Sequence, residues 1–182
     1  MGLHDRALVY GNGKLLGIHE RDQASDEILI EVKDNEVYQL DILVENMGRV
    51  NYGPELYDYK GISKAVLLGL QEIHGWEMFS IELKDLSKVQ YSPSKEIDTP
   101  ALYKGVLEVD EVADTFIYLD GFKKGNVFIN GFNIGRYFNR GPQRSLYVPA
   151  PLLKQGENII EVFDLQGSSD LTVTFKDIED LG

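Results

Sequence analysis

Acid–base hydrolysis needs two carboxylates facing one bond, nucleophilic catalysis needs a base beside a hydroxyl or thiol, and metal chemistry needs clustered imidazoles or carboxylates. Carboxylates are plentiful in this chain, among them Glu45, Asp58, Asp110, Glu111, Asp114 and Asp120, but no spacing sets two of them against a common bond. With 30 acidic and 18 basic residues and a net charge of −12, most read as solvated strand ends and turns. Asp114 is expected to cap or brace a turn before its strand. His4, His19 and His74 have no second histidine at ligand spacing and read as surface or loop residues. No Gly-x-Ser-x-Gly elbow occurs, no calcium-loop spacing occurs, and there is no cysteine. Gly11-x-Gly13-x-x-x-Gly17 misses the dinucleotide spacing and reads as a hairpin turn. No catalytic residue, metal ligand or cofactor is assigned from the sequence.

Aromatic side chains offer a different chemistry, because polyhydroxylated rings lay their C–H faces on aromatic planes. Tyr52, Tyr57, Tyr59, Trp76, Tyr137, Phe138 and Tyr147 are the candidates, with the lone Trp76 expected in the core. Gly48-Arg49-Val50-Asn51-Tyr52-Gly53 stands apart. Two glycines bracket a donor, an amide and an aromatic ring directly after a strand, and loops on rigid sandwiches often carry binding. Arg49 and Asn51 suit either substrate contact or loop bracing; Tyr52 suits substrate contact.

The elements positioning this loop are strands. Residues 27–32 and 37–44, then 115–119, 127–129, 159–163 and 171–175, are rich in β-branched residues or alternate apolar with polar. Asn130-Gly131 and Gln155-Gly156-Glu157-Asn158 mark turns, and no stretch sustains a 3.6-residue apolar period. The fold class is all-β. A polar, Pro-containing stretch over 90–99 reads as a linker, dividing the chain into residues 1–92 and 93–182. The 182 residues suit one domain or two small ones.

An internal repeat sharpens this division. Val9-Tyr10-Gly11-Asn12-Gly13 matches Val127-Phe128-Ile129-Asn130-Gly131 at an offset of 118 residues (9 to 127). The same offset sets Ile28, Leu29 and Ile30 on Leu146, Tyr147 and Val148, and Ile42 and Val44 on Ile160 and Val162. Two related β-sandwich modules are expected. The second has residues 100–122 ahead of its hairpin, with two strands; the first has only residues 1–8 there, so its leading strands are missing. The segment 171–175 is a spare strand that can pair with the first module.

Several motifs carry a resemblance. Val44-Glu45-Asn46-Met47-Gly48-Arg49-Val50-Asn51-Tyr52-Gly53, then Asp58, Lys60-Gly61 and Gly75-Trp76, resemble the C-terminal part of family 35 glycoside hydrolases, the β-galactosidases. Residues 124–137 and Gly141-Pro142-Gln143-Arg144-Ser145-Leu146-Tyr147-Val148-Pro149 extend the likeness over nearly the whole chain. Phe122 and Phe138 stand where the family often has Trp. The resemblance implies two jelly-roll, galactose-binding-like modules that follow a catalytic (β/α)8 barrel. That barrel holds the two glutamates of a retaining mechanism on terminal β-galactosides. The chain matches only the β-domains, so the catalytic pair is not expected in it. By resemblance, Tyr52 is the substrate contact, with Arg49 and Asn51 shaping the loop.

The expected function is therefore a non-catalytic β-domain fragment that supports the barrel and lends a loop to the galactose site. A stand-alone carbohydrate-binding module is the alternative, and a complete small enzyme ranks last. Expected partners are the barrel and a galactoside, with self-association through open strand edges. The charge of −12 disfavours nucleic acid and anionic membrane. No apolar run reaches the roughly 20 residues of a membrane span. The start Met1 to Tyr10 does not read as a signal peptide, Arg6 breaks a myristoylation motif, and no Asn-x-Ser/Thr sequon occurs. The expected setting is the bacterial cytoplasm.

Overall fold

Asn12 and Gly13 sit at φ 49° and 78°, and Asn130 and Gly131 at 50° and 81°. Two consecutive residues in the left-handed region make the tight turn that matches strand twist, which Asn-Gly supplies at least cost. These two hairpins anchor the computed structural model, which describes residues 2–23, 27–33, 35–93, 97–168 and 170–182. Residues 94–96 of the expected linker lie outside the described residues.

The chain forms two compact units, Met1–Phe79 and Ser80–Gly182. In the first, β1 (Leu3–His4), β2 (Arg6–Gly11), β3 (Lys14–Glu20) and β4 (Leu40–Glu45) are followed by a 3-10 turn at Pro54–Tyr57. The short strands β5 (Gly61–Ile62), β6 (Leu67–Leu68) and β7 (Gln71–Glu72) complete it. The main sheet has the order β3-β2-β4, while β1 pairs with β5 and β6 with β7. Every residue of β2 is buried.

The second unit contains β8 (Ala101–Val109), β9 (Thr115–Tyr118), β10 (Lys124–Ile129), β11 (Phe132–Phe138), β12 (Ser145–Val148), β13 (Gly156–Asp164) and β14 (Thr174–Lys176). A four-stranded sheet, β11-β10-β13-β8, and a three-stranded sheet, β12-β9-β14, supply its core. Val127, Ile129, Ile160 and Val162 from the first meet Ile117, Leu146 and Val148 from the second, all buried. This is sandwich construction, with alternate residues of each strand turned inward.

The repeat is real and deeper than the hairpin. Both hairpins carry a register irregularity at the same place, between Val9 and Tyr10 and between Val127 and Phe128. The outer strands, however, repeat at 120 residues (42 to 162), not 118. Val9 pairs with Ile42, and Val127 pairs with Val162. A two-residue slip keeps every side chain on its own face, so alternation alone does not reveal it. The middle-strand match fails: Leu146–Val148 lies in β12, whereas residues 27–33 form no strand. Instead, the Ile28 side chain lies over Gly17, where an added Cβ would sit 3.0 Å from its Cδ1.

Three further expectations are corrected. Of the segment 171–175 offered to the first module, Thr174 and Phe175 fall in β14, which pairs with β9 inside the second unit. Residues 80–92, grouped by sequence with the first module, lie in the second unit, where the Tyr91 hydroxyl donates to Glu161 Oε1 at 2.6 Å. Trp76 is 39% exposed, its indole N–H donating to the Ile73 carbonyl at 3.0 Å. The missing-strand expectation has a concrete form: among the described residues, β8 has no counterpart beside β4.

Candidate functional site

The loop that follows β4 is held from beneath by two aspartates. Asp5 lies between β1 and β2 and is 5% exposed. Its carboxylate accepts from Lys60 Nζ at 2.8 Å on each oxygen, from Arg21 Nη1 at 3.0 Å and from the Met47 amide at 2.9 Å. Asp58 follows the 3-10 turn, and its Oδ2 meets Arg21 Nη1 at 2.7 Å, His4 Nδ1 at 3.0 Å and Lys60 Nζ at 3.3 Å. Arg21 Nη2 also reaches Glu55 Oε2 at 3.0 Å. Residues far apart in the chain thus converge because β2 and β3 share a hairpin and β1 pairs with β5.

Charge settles in the network as the geometry requires. The hydrogen bond from His4 holds Asp58 down to about 2, helped by Lys60 and Arg21 against partial burial. Burial alone would raise Asp5, but Lys60, the Met47 amide and Arg21 outweigh it and lower its pKa. Burial works against the Arg21 cation, yet Asp5 and Asp58 raise its pKa. Both carboxylates stay ionised at neutral pH and hydrogen-bonded to fixed cations. They are poorly suited to proton transfer and well suited to fastening a loop.

His4, Asp5 and Asp58 offer ligand atoms within 4.8 Å of one another, a donor set of the right type for a metal. Lys60 and Arg21 already supply positive charge at 2.7–3.3 Å from these oxygens, so the geometry fits ion pairing better than a divalent cation.

Above this base, Gly48 and Gly53 take φ of 100° and 94° and turn the chain out and back. Arg49 is exposed but tied to the base of the loop: its Nη1 donates to the Leu56 carbonyl at 2.9 Å, the Asp58 carbonyl at 2.8 Å and Asp58 Oδ1 at 3.3 Å. Of its two roles left open by sequence, the described contacts are those of a brace. Asn51 is exposed, and Tyr52 is 89% exposed at the outer side of the loop. Tyr57 and Tyr59 are exposed nearby in sequence, with Met47 and Val50 partly so. The three sequence candidates therefore share one loop and are all exposed, with Arg49 tied to Leu56 and Asp58.

Sequence reasoning missed Asp5, Arg21 and the convergence on Asp58, because pairs separated by 16 to 55 residues leave no local pattern. His19 is also corrected. It is 5% exposed on β3, and neither ring nitrogen has a hydrogen-bond partner among the described residues. Its signal was present, since an offset of 118 places it on Tyr137, a core residue. His4 is partly buried against Asp58, and His74 is largely exposed.

In the second unit the aromatic candidates serve structure. Tyr137 is buried and donates to Asp164 Oδ2 at 2.7 Å. Burial and the adjacent Asp164 carboxylate raise its pKa far above the ordinary phenol range. Phe138 lies under the Lys124 ammonium, 4.7 Å from the ring centroid. Tyr147, 49% exposed, packs at 5.6 Å between centroids against Phe116. Asp114 Oδ1 accepts from the Ala150 amide at 2.8 Å, so it braces the 3-10 turn at Ala150–Leu152 rather than a turn before its own strand.

Comparison with known families finds a match in each unit. Residues 1–82 match the model of the β-galactosidase first all-beta domain, and residues 100–158 match the β-galactosidase galactose-binding domain. The chain belongs to the β-galactosidase family. It is 38% identical to beta-galactosidase 17 of Arabidopsis thaliana over 90% of this chain and 28% of that protein. It is 40% identical to the beta-galactosidase-1-like protein of Mus musculus over 84% of this chain and 24% of that protein. Against the beta-galactosidase of Homo sapiens the identity is 35%, over 91% of this chain and 27% of the relative. The chain thus spans about a quarter to a third of the curated relatives it matches, from 24% to 33%. What it shares with them is their all-β region, and Arg49, Asn51 and Tyr52 lie in the part that matches the first all-beta domain.

Proposed function

We propose that this chain is a non-catalytic β-domain portion of a β-galactosidase, whose loop over Arg49, Asn51 and Tyr52 forms one wall of a galactoside site. A catalytic barrel forms the rest of that site and docks on this portion. The observation that carries the reading is the braced loop. Asp5, Asp58, Arg21 and Lys60 spend buried or half-buried charge on fixing a segment that presents, among its exposed residues, Asn51 and an 89% exposed Tyr52. Ordering an exposed tyrosine in this way gains nothing for folding and suits a ring held ready for a sugar face.

Titration of the isotopically labelled chain with galactose tests the reading. Amide shifts are expected to move at Asn51 and Tyr52, weakly, because most of the wall is absent. A chromogenic β-galactoside is expected to remain uncleaved. Turnover by the chain, or galactose shifts confined to the second unit, would overturn the proposal.

A stand-alone carbohydrate-binding role is the second reading, supported by the match of residues 100–158 to a galactose-binding domain. It predicts tight, saturable galactose binding that a Tyr52→Ala change leaves intact.

A further inference from the structure

The two Asn-Gly pairs of the chain, Asn12-Gly13 and Asn130-Gly131, occupy the same place in the two units. Each is the exposed tip of a two-residue hairpin, closed by Gly11↔Lys14 in one and by Ile129↔Phe132 in the other. Each asparagine also makes the same reciprocal pair with the neighbouring chain. The Asn12 amide donates to the Gln39 carbonyl at 2.9 Å, and Asn12 Oδ1 accepts from the Gln39 amide at 2.9 Å. The Asn130 amide donates to the Ile159 carbonyl at 2.8 Å, and Asn130 Oδ1 accepts from the Ile159 amide at 2.9 Å. Gln39 and Ile159 are matched by the 120-residue repeat of the outer strands (39 to 159).

The two turns part company at the side-chain NH2 group. Asn130 Nδ2 donates to the Leu152 carbonyl at 2.8 Å and to Asn158 Oδ1 at 2.9 Å. Asn158 is buried and is itself fixed by the Lys154 amide and by the Lys154 and Gly156 carbonyls, so the clamp is rigid. The residue matching Asn158 in the first unit is Tyr38, whose hydroxyl lies over Gly11. Asn12 Nδ2 has no acceptor among the described residues. We propose that Asn12 is a modification site, converted by water through a cyclic imide to aspartate and isoaspartate, and that the clamp protects Asn130 from the same reaction.

Glycine has no Cβ to shield its backbone nitrogen. The Gly13 nitrogen attacks Asn12 Cγ and gives up its proton, and the carboxamide nitrogen takes up a proton and leaves as ammonia. The new N–C bond closes a five-membered succinimide. Water then adds to one of the two imide carbonyls and reopens the ring, leaving aspartate or isoaspartate. Either turn must open before the nitrogen can reach Cγ. At Asn12 the opening breaks the pair with Gln39; at Asn130 it breaks the pair with Ile159 and two further hydrogen bonds. The aspartate product keeps an acceptor for the Gln39 amide and tolerates the φ of 49°. The isoaspartate product adds a carbon to the main chain between Gly11 and Lys14, so the two-residue turn no longer closes.

The test holds the whole chain in mildly alkaline heavy-oxygen water, folded in one arm and in urea in the other. Protease peptides containing each Asn-Gly pair are followed by mass and by chromatography. In the folded chain the Asn12 peptide is expected to lose ammonia, take up heavy oxygen and split into aspartyl and isoaspartyl forms. It should do so at least about tenfold faster than the Asn130 peptide, since two more hydrogen bonds must open there. In urea the two pairs are expected to convert at equal rates. Equal rates in the folded chain, faster conversion at Asn130, or an unreactive Asn12 while the unfolded chain converts overturns the proposal. So does a rate ratio that persists in urea, which would assign the difference to local sequence and not to the clamp.

Discussion

The bracing network makes a quantitative demand at Asp5. Its carboxylate, 5% exposed, is the common acceptor for Lys60 Nζ, Arg21 Nη1 and the Met47 amide. Asp5→Ala removes that acceptor and leaves Lys60, whose side chain is 12% exposed, with Asp58 alone at 3.3 Å. Removing one partner of a buried pair costs about 3–5 kcal/mol. Arg21 is 28% exposed and can turn to water, and Lys60 keeps one acceptor, so the lower figure of about 2–3 kcal/mol is expected here. For a unit of this size that is a fall in melting temperature on the order of 10–20 °C. Lys60→Met alone should cost about 1–2 kcal/mol, since Asp5 retains Arg21 and the Met47 amide. The double variant should then be less damaged than the sum, with a coupling of about 1–2 kcal/mol.

The two units need not unfold together, so one global melting curve is the wrong readout. Hydrogen exchange during urea unfolding, resolved to peptides from residues 2–23 and 40–62, reports the first unit by itself. The loop should lose protection before the hairpin does. A cost below about 0.5 kcal/mol for Asp5→Ala, or strictly additive variants, would refute the view that these charges act as one unit.

Three other outcomes are expected. Gly125→Ala would place a Cβ 1.7 Å from the Phe163 carbonyl oxygen, forcing β10 from β13, and should cost the second unit at least about 3 kcal/mol in thermal unfolding. His19→Leu removes two buried, unpartnered ring nitrogens and should stabilise the first unit by about 1 kcal/mol in urea; a loss of stability would show that the ring is partnered after all. Asp58 is held to about 2 and Asp5 is also lowered, so their contribution is present above the unfolded value of about 3.9 and is lost as pH falls through the folded values. Exchange protection of the loop should therefore fade between about pH 4 and pH 2, and protection already lost near pH 6 would refute the assignment to these carboxylates.

What could be read from the residues was what repeats at short range. The Asn-Gly turns, the alternation in β4 and the glycine-bracketed loop all act within a few positions, and each is found where expected. The strand expected at 27–32 is absent because a β-rich run needs an edge to pair with, and this segment covers Gly17 instead. The exposure of Trp76 and the clustering of Asp5, Arg21, Asp58 and Lys60 depend on which strands pair, information carried by no single window. The slip from 118 to 120 is hidden for a different reason: it preserves parity, and parity is all that a hydrophobic pattern encodes.

The paired modules also show how one scaffold position admits different solutions. Arg6 and Lys124 are equivalent by the offset of 118, and both are buried, at 1% and 4% exposure. Arg6 is met by Glu20 Oε1 at 3.2 Å and Glu45 Oε2 at 3.5 Å. At the positions matching those carboxylates the second unit has Phe138 and Leu165, and the Lys124 ammonium lies over the Phe138 ring. One buried cation is thus compensated by ion pairs, the other by an aromatic face. The same substitution of means recurs on the opposite face, where Tyr137 is satisfied by Asp164 while the matching His19 has Val44 across the sheet and no acceptor. No carboxylate takes the place of Asp164 beside His19 among the described residues, whereas Asp5 and Asp58 add two carboxylates at the base of the loop that carries Tyr52.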